Sequence, residues 1–122
     1  MRIVLLSLLL SVASPAWCGV LAYAAGDIGE CEGKPAQQSD AARTARLIPN
    51  DAVVFVVGDT AYPHADLATL NACYAPTWGP FLPHTYAVPG NHDYVEGSAA
   101  DFLEYFGART PHHTWFRALV GD

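Results

Sequence analysis

The chain has 122 residues, 52% hydrophobic and 15% charged, with six Lys and Arg against twelve Asp and Glu. This composition suits a chain with a buried core and excludes a disordered tail, and the length allows one domain. A formal net charge of −6, with no stretch that concentrates Lys or Arg, excludes nucleic-acid binding through phosphate neutralisation.

Residues 1–16 read as an address. Arg2 precedes an apolar and small run from Ile3 to Ala13, and Ser14-Pro15-Ala16 puts small residues three and one positions before a cut, as in a secretory signal peptide. The run is shorter than the roughly 20 apolar residues that cross a bilayer. No membrane span is expected, and residues 17–122 are expected to form the mature domain in a secreted or periplasmic location. Without Arg2, five Lys and Arg remain against twelve Asp and Glu, a charge near −7. Such acidity gives anionic substrates no attraction, so phosphate chemistry here needs positive charge from elsewhere, most simply metal ions.

Val20 to Ala25 is the first apolar run, ended by Gly26-Asp27. A long polar loop carries Cys31. Ser39 then caps a helix to Ile48 that aligns Ala41, Ala45 and Ile48, with Pro49 after its end. Ala52 to Val57 is a β-branched run ended by Gly58-Asp59. Asp66 starts a second helix with Leu67, Leu70 and Tyr74 on one stripe and Pro76 beyond it. Thr85 to Val88 is a weaker run ended by Pro89-Gly90-Asn91. Ser98 caps a third helix in which Phe102, Tyr105 and Phe106 share a face and Gly107 closes the end. A fourth strand is expected from Trp115 to Val120. Continuous apolar runs suit strands buried on both faces, and their alternation with helices predicts an α/β fold with a parallel βαβαβ sheet. In an oxidising compartment Cys31 and Cys73 pair as a disulfide, the alternative being two buried thiols.

Asp27, Asp59 and Asn91 each follow a glycine at a strand end, 32 residues apart each time. A strand-helix-strand unit takes about thirty residues, so this spacing sets all three at the carboxyl edge of neighbouring strands, where parallel sheets bind ligands. Gly-Asp alone is an ordinary turn dipeptide. Three in register at successive strand ends point instead to hard oxygen ligands for Mg, Mn, Fe or Zn.

GDIG at 26–29, GDTAY at 58–62 and GNHD at 90–93 resemble the first three signature blocks of the calcineurin-like metallophosphoesterases, in the form found in the purple acid phosphatase branch. The resemblance covers roughly Val20 to Gly107. It implies a phosphoester hydrolase, secreted if the leader is read correctly, acting by two-metal hydroxide attack on a phosphate ester, with Asp27 binding one metal, Asp59 bridging both and Asn91 binding the second. His92 is then expected to contact the phosphate and protonate the leaving group, with Asp93 orienting its ring. Gly29 stands where many members have a histidine ligand. The purple acid phosphatases share that loss and supply a tyrosine three residues after the bridging Asp, here Tyr62, which favours iron paired with Zn, Mn or Fe; the alternative for Tyr62 is a ring over the site rim. The family's later histidine ligands have no counterpart before Asp122. The chain therefore reads as the first half of an αββα sandwich, the alternative function being a catalytically incomplete or partner-dependent, non-enzymatic relative. His64 is a weaker substrate-contact candidate, His84, His112 and His113 read as structural or surface residues, and Trp78 either packs its loop or lines a cleft.

Overall fold

In the computed structural model, residues 19–31, 33–107 and 120 are described. The leader at 1–16, His112, His113 and the expected fourth strand before Val120 lie outside the described residues.

The three apolar runs form one parallel sheet in the order β1 (Ala22–Ala25), β2 (Val53–Val56), β3 (Thr85–Ala87). Ala25 pairs with Val56 and Val56 with Ala87, so the carboxyl ends are level. Pairing continues one step further, Val57 N–H donating to Ala25 O and Val88 N–H to Val56 O, both at 2.9 Å. The Gly-Asp and Gly-Asn dipeptides therefore leave the same edge of the sheet.

Burial departs from the expected two covered faces. Val54 and Val56 are fully inside, whereas Val53 and Phe55 on the other side are half-buried and Val57 is exposed. Successive side chains point to opposite faces of a strand. The half-buried face is covered in part by the Phe55–Tyr86 ring stack, with centroids 5.7 Å apart.

Helix α1 (Asp40–Ala45) begins where Ser39 caps it, the Ser39 Oγ accepting from Ala42 N–H at 3.3 Å. It stops sooner than the periodicity suggests, because Leu47 N–H and Ile48 N–H reach back only three residues, to Thr44 O and Ala45 O. That tighter turn still delivers Ile48 to the core beside Ala41 and Ala45. Helix α2 (Leu67–Thr69) starts at Asp66, whose Oδ1 accepts from Thr69 N–H at 2.7 Å, a bond that holds the Asp66 carboxyl below its ordinary range. It runs without a break through a π-helical stretch, Leu70–Tyr74, into α3 (Ala75–Thr77). Pro76, expected beyond the end, thus lies inside. The wide turn accompanies this: Ala75 N–H reaches back five residues to Leu70 O just before Pro76, whose missing N–H falls in the first turn of α3, where proline is tolerated.

Helix α4 (Ala100–Phe106) is entered at Ala99, whose carbonyl accepts from Leu103 N–H at 2.9 Å, while Ser98 Oγ takes Ala100 N–H at 3.2 Å from one residue earlier. Gly107 ends it with φ +55°. Phe102 and Phe106 are buried; Phe106 meets Tyr74 and Tyr105 edge to face, and Phe102 packs on Phe106 at a tilt. Trp78 belongs to this packing: it is buried, its Nε1–H donates to Ala41 O at 3.0 Å, and its ring meets Phe81 edge-on. It lines an apolar cavity of about 310 Å³ between β1 and α1.

Cys31 and Cys73 are joined by a disulfide, Cα atoms 5.7 Å apart, which ties the loop after β1 to the π-helical stretch. Among the described residues no helix is long and apolar enough to cross a membrane.

Candidate metal centre

Asp27 and Asp59 leave their strands in the left-handed region, at φ +52° and +53°. Aspartate tolerates this better than most residues, and the turn lifts each carboxylate off the sheet edge. The loops after β2 and β3 then press backbone against backbone. Gly58 sits at φ +101°, and a Cβ there would lie 2.6 Å from Gly90 N; a Cβ on Gly90 would collide with the Asp59 carboxylate. Only glycine fits either position.

Hydrogen bonds stitch the three loops together. Ile28 N–H donates to Asp59 O at 3.0 Å, Tyr62 N–H to Gly29 O at 2.8 Å and Ala65 N–H to His92 O at 3.0 Å. Asp59 Oδ1 accepts from His92 N–H at 2.9 Å. The Tyr62 hydroxyl donates to Asp27 Oδ1 and lies 3.3 Å from Asp59 Oδ2. Two carboxylates thus converge on one phenol oxygen. The bond to Asp27, then lost solvation, then the Asp59 charge push the Tyr62 phenol well above its ordinary range, so without a cation it keeps its proton.

His92 stands beside this group, its ring 4.4 Å from that of Tyr62. Its Nδ1 lies 2.8 Å from Pro63 O. A carbonyl only accepts, so Nδ1 carries the proton and Nε2 is the nitrogen left for substrate. This corrects the expectation for Asp93. Both Asp93 carboxylate oxygens are turned away from the imidazole, onto Asp59 N–H, Thr60 N–H, the Thr60 hydroxyl and Gly90 N–H. The side chain is fully buried under the loops. The Pro63 carbonyl, which no motif would have flagged, orients the ring.

Asp27, Asp59 and Tyr62 are thus in direct contact with His92 alongside. Asn91 opens the turn Asn91–Asp93 on the exposed side, next to the glycine that packs on Asp59. His64 is exposed with its ring 6.5 Å from that of His92, and His84 is exposed just before β3. A cleft of about 360 Å³ is lined by Asp27, Glu30, Tyr62, Pro63 and His92. Glu30 and Thr60 were missed in the sequence; their only signal is adjacency to the GDIG and GD blocks.

Among the described residues no three His, Cys, Asp or Glu come together. The donor set is instead carboxylate, carboxylate and phenol, with no Lys or Arg lining the cleft. Two acidic side chains sharing a phenol oxygen, with no cationic side chain in the lining, fit a hard cation.

A family model for calcineurin-like phosphoesterases matches residues 22–120. No curated protein and no solved structure gave a match. The matched span takes in all three strands and all three strand-end loops, and the chain belongs to the calcineurin-like phosphoesterase family.

Proposed function

We propose that this chain is a secreted, acid-phosphatase-like member of the family, in which Asp27 and Asn91 each hold one metal ion, Asp59 serves both and Tyr62 adds a phenol oxygen. The family as a whole implies metal-dependent hydrolysis of phosphate esters. The observation that carries the finer reading is the contact of the Tyr62 hydroxyl with both carboxylates. A phenolate oxygen beside two carboxylates favours trivalent iron in one position, with Zn, Mn or Fe in the other.

Ions bound there supply Lewis-acid polarisation of the phosphoryl group and neutralise its charge. The chain's own residues do the rest. His92, held at Nδ1 by Pro63 O, gives the leaving alcohol a proton from Nε2 when its ring is in the doubly protonated form, and is left as the neutral Nδ1–H imidazole. Asp59, fixed by the His92 amide, keeps one oxygen toward Tyr62 and the other toward the third loop. Removal of residues 1–16 as a leader is part of this reading and is checked by amino-terminal sequencing of the exported protein.

The test is the metal content of the purified chain and its hydrolysis of an aryl phosphate with iron, zinc or manganese. Asp59→Asn is expected to lose more metal and more turnover than Asn91→Ala. Iron loading is expected to give a visible phenolate-to-iron charge-transfer band that Tyr62→Phe abolishes. Full metal occupancy in Asp59→Asn would overturn the assignment of Asp59 to both ions. Failure to retain any metal would favour the non-enzymatic alternative.

A further inference from the structure

Asp93 is a fully buried carboxylate. Its partners are four uncharged donors from two loops. Oδ2 accepts from Asp59 N–H and Gly90 N–H, both at 2.7 Å; Oδ1 accepts from Thr60 N–H at 3.0 Å and from the Thr60 hydroxyl. The bonds to Asp59 and Thr60 reach across 34 and 33 residues and grip the left-handed turn at Asp59, φ +53°, against the loop after β3. The same turn directs the Asp59 carboxylate to the Tyr62 hydroxyl and the His92 amide.

We infer that Asp93 is a positioning residue for the metal centre: it acts through the backbone of Asp59, holding the carboxylate in place before any ion arrives. The inference rests on the metal-binding reading above. Four donors need the two oxygens and about four lone-pair positions that only a carboxylate supplies in this space, and an ionised acceptor shortens and strengthens each bond. Asparagine has the same shape but one acceptor oxygen. With its oxygen kept toward Asp59 and Gly90, its NH2 faces the Thr60 N–H, donor against donor, and the turn must shift. Thr60→Val is the milder change, because it removes one hydroxyl bond and leaves all three amides paired.

The experiment compares the full chain with Asp93→Asn, Thr60→Val and Ile48→Ala, the last a buried substitution beside α1 chosen to lower stability away from the loops after β2 and β3 whose amides are read, on a cavity it shares with the first loop. Amide hydrogen exchange is read first on the metal-free proteins. Asp93→Asn is expected to speed exchange at Asp59, Thr60 and Gly90 by at least about tenfold over Ile48→Ala, with Thr60→Val between the two. Mn²⁺ titration is read second. Affinity is expected to fall about 10–100-fold in Asp93→Asn, the usual cost of disturbing a group that orients a ligand, and about threefold or less in Ile48→Ala. Equal exchange at those three amides in Asp93→Asn and Ile48→Ala overturns the inference. So does an equal loss of Mn²⁺ affinity in both. A wild-type chain that takes up no Mn²⁺ overturns the metal reading and Asp93's part in it, while the exchange data still decide whether Asp93 fixes Asp59.

Discussion

The loops at the carboxyl edge of the sheet and the helical layer beside it are held by opposite means. In the loops, a buried carboxylate accepts from four donors and gathers two turns around itself. In the helical layer, Tyr74, Phe102, Tyr105 and Phe106 meet ring to ring, and the buried Tyr74 hydroxyl has no hydrogen-bond partner among the described residues. The Thr85 hydroxyl near it gives its one proton to Phe81 O at 2.8 Å. Apolar packing fixes shape but tolerates small adjustments of volume. A saturated polar network fixes the direction of each backbone group it touches, which the placement of a ligand-bearing turn requires.

The largest expected effect breaks the polar side of this contrast. Asp93→Ala leaves four donors without their acceptor, only partly rehydrated, and at about 1–3 kcal/mol for each unsatisfied buried group the loss should exceed about 4 kcal/mol. Against a total stability of about 5–15 kcal/mol, urea denaturation should show a chain at the edge of unfolding. A loss under about 1 kcal/mol would mean the network is dispensable.

The disulfide between Cys31 and Cys73 joins the two regions and comes next. It spans 42 residues, and the chain-entropy relation gives about 4 kcal/mol for a loop of that length. Non-reducing peptide mapping should find the two residues linked, and Cys31→Ala with Cys73→Ala should shift the denaturation midpoint accordingly. Free thiols at both positions would remove the tie between the regions.

What could be read in the sequence follows the same division. Strands, their order and the level of their ends were legible, because apolar runs ended by Gly-Asp or Gly-Asn at a 32-residue spacing leave a parallel sheet few alternatives. The caps at Ser39 and Asp66 were legible because they act within three residues. Of the site, Asp27 and Asp59 came together as their Gly-Asp frames suggested, on the hydroxyl of Tyr62, which the family resemblance alone had singled out. Asp93 did not. Its place beside His92 in sequence suggested an orienting pair, whereas three of its four bonds run to Asp59 and Thr60, more than thirty positions away, which no local pattern encodes. Pro76 misled in the other direction: a proline signals a helix end only where an amide is needed, and the first turn of α3 tolerates its absence.

Trp78 sharpens the apolar side. Its ring is buried against Phe81, and its single polar atom is spent on Ala41 O. Trp78→Phe removes that bond and part of the ring, for an expected loss of about 1–3 kcal/mol, with Mn²⁺ affinity unchanged within about threefold. A drop in affinity as large as that of Asp93→Asn would show that the two regions are coupled more tightly than their contacts suggest.

The smallest effect is the most diagnostic, because its sign is opposite. Tyr74→Phe keeps the ring contacts with Tyr105 and Phe106, at 5.7 and 5.3 Å, and deletes a hydroxyl buried without a partner. Removing an unsatisfied polar group should stabilise the chain by about 0.5–1 kcal/mol. The pH arm gives an independent check. Burial, followed by the neighbouring Tyr105, pushes the Tyr74 phenol above its ordinary value near 10, so the folded chain keeps a proton that the unfolded chain gives up. The unfolded state then binds fewer protons, and stability falls as pH rises past about 10. Tyr62, through its bond to Asp27, and Tyr105, through burial, are raised as well and share that slope. Tyr74→Phe should therefore make the alkaline loss shallower without abolishing it, as measured by urea denaturation at about pH 8 and pH 11. A variant less stable than wild type by more than about 1 kcal/mol at pH 8 would mean that the hydroxyl has a partner after all, and that the helical layer, like the loops, relies on a polar bond.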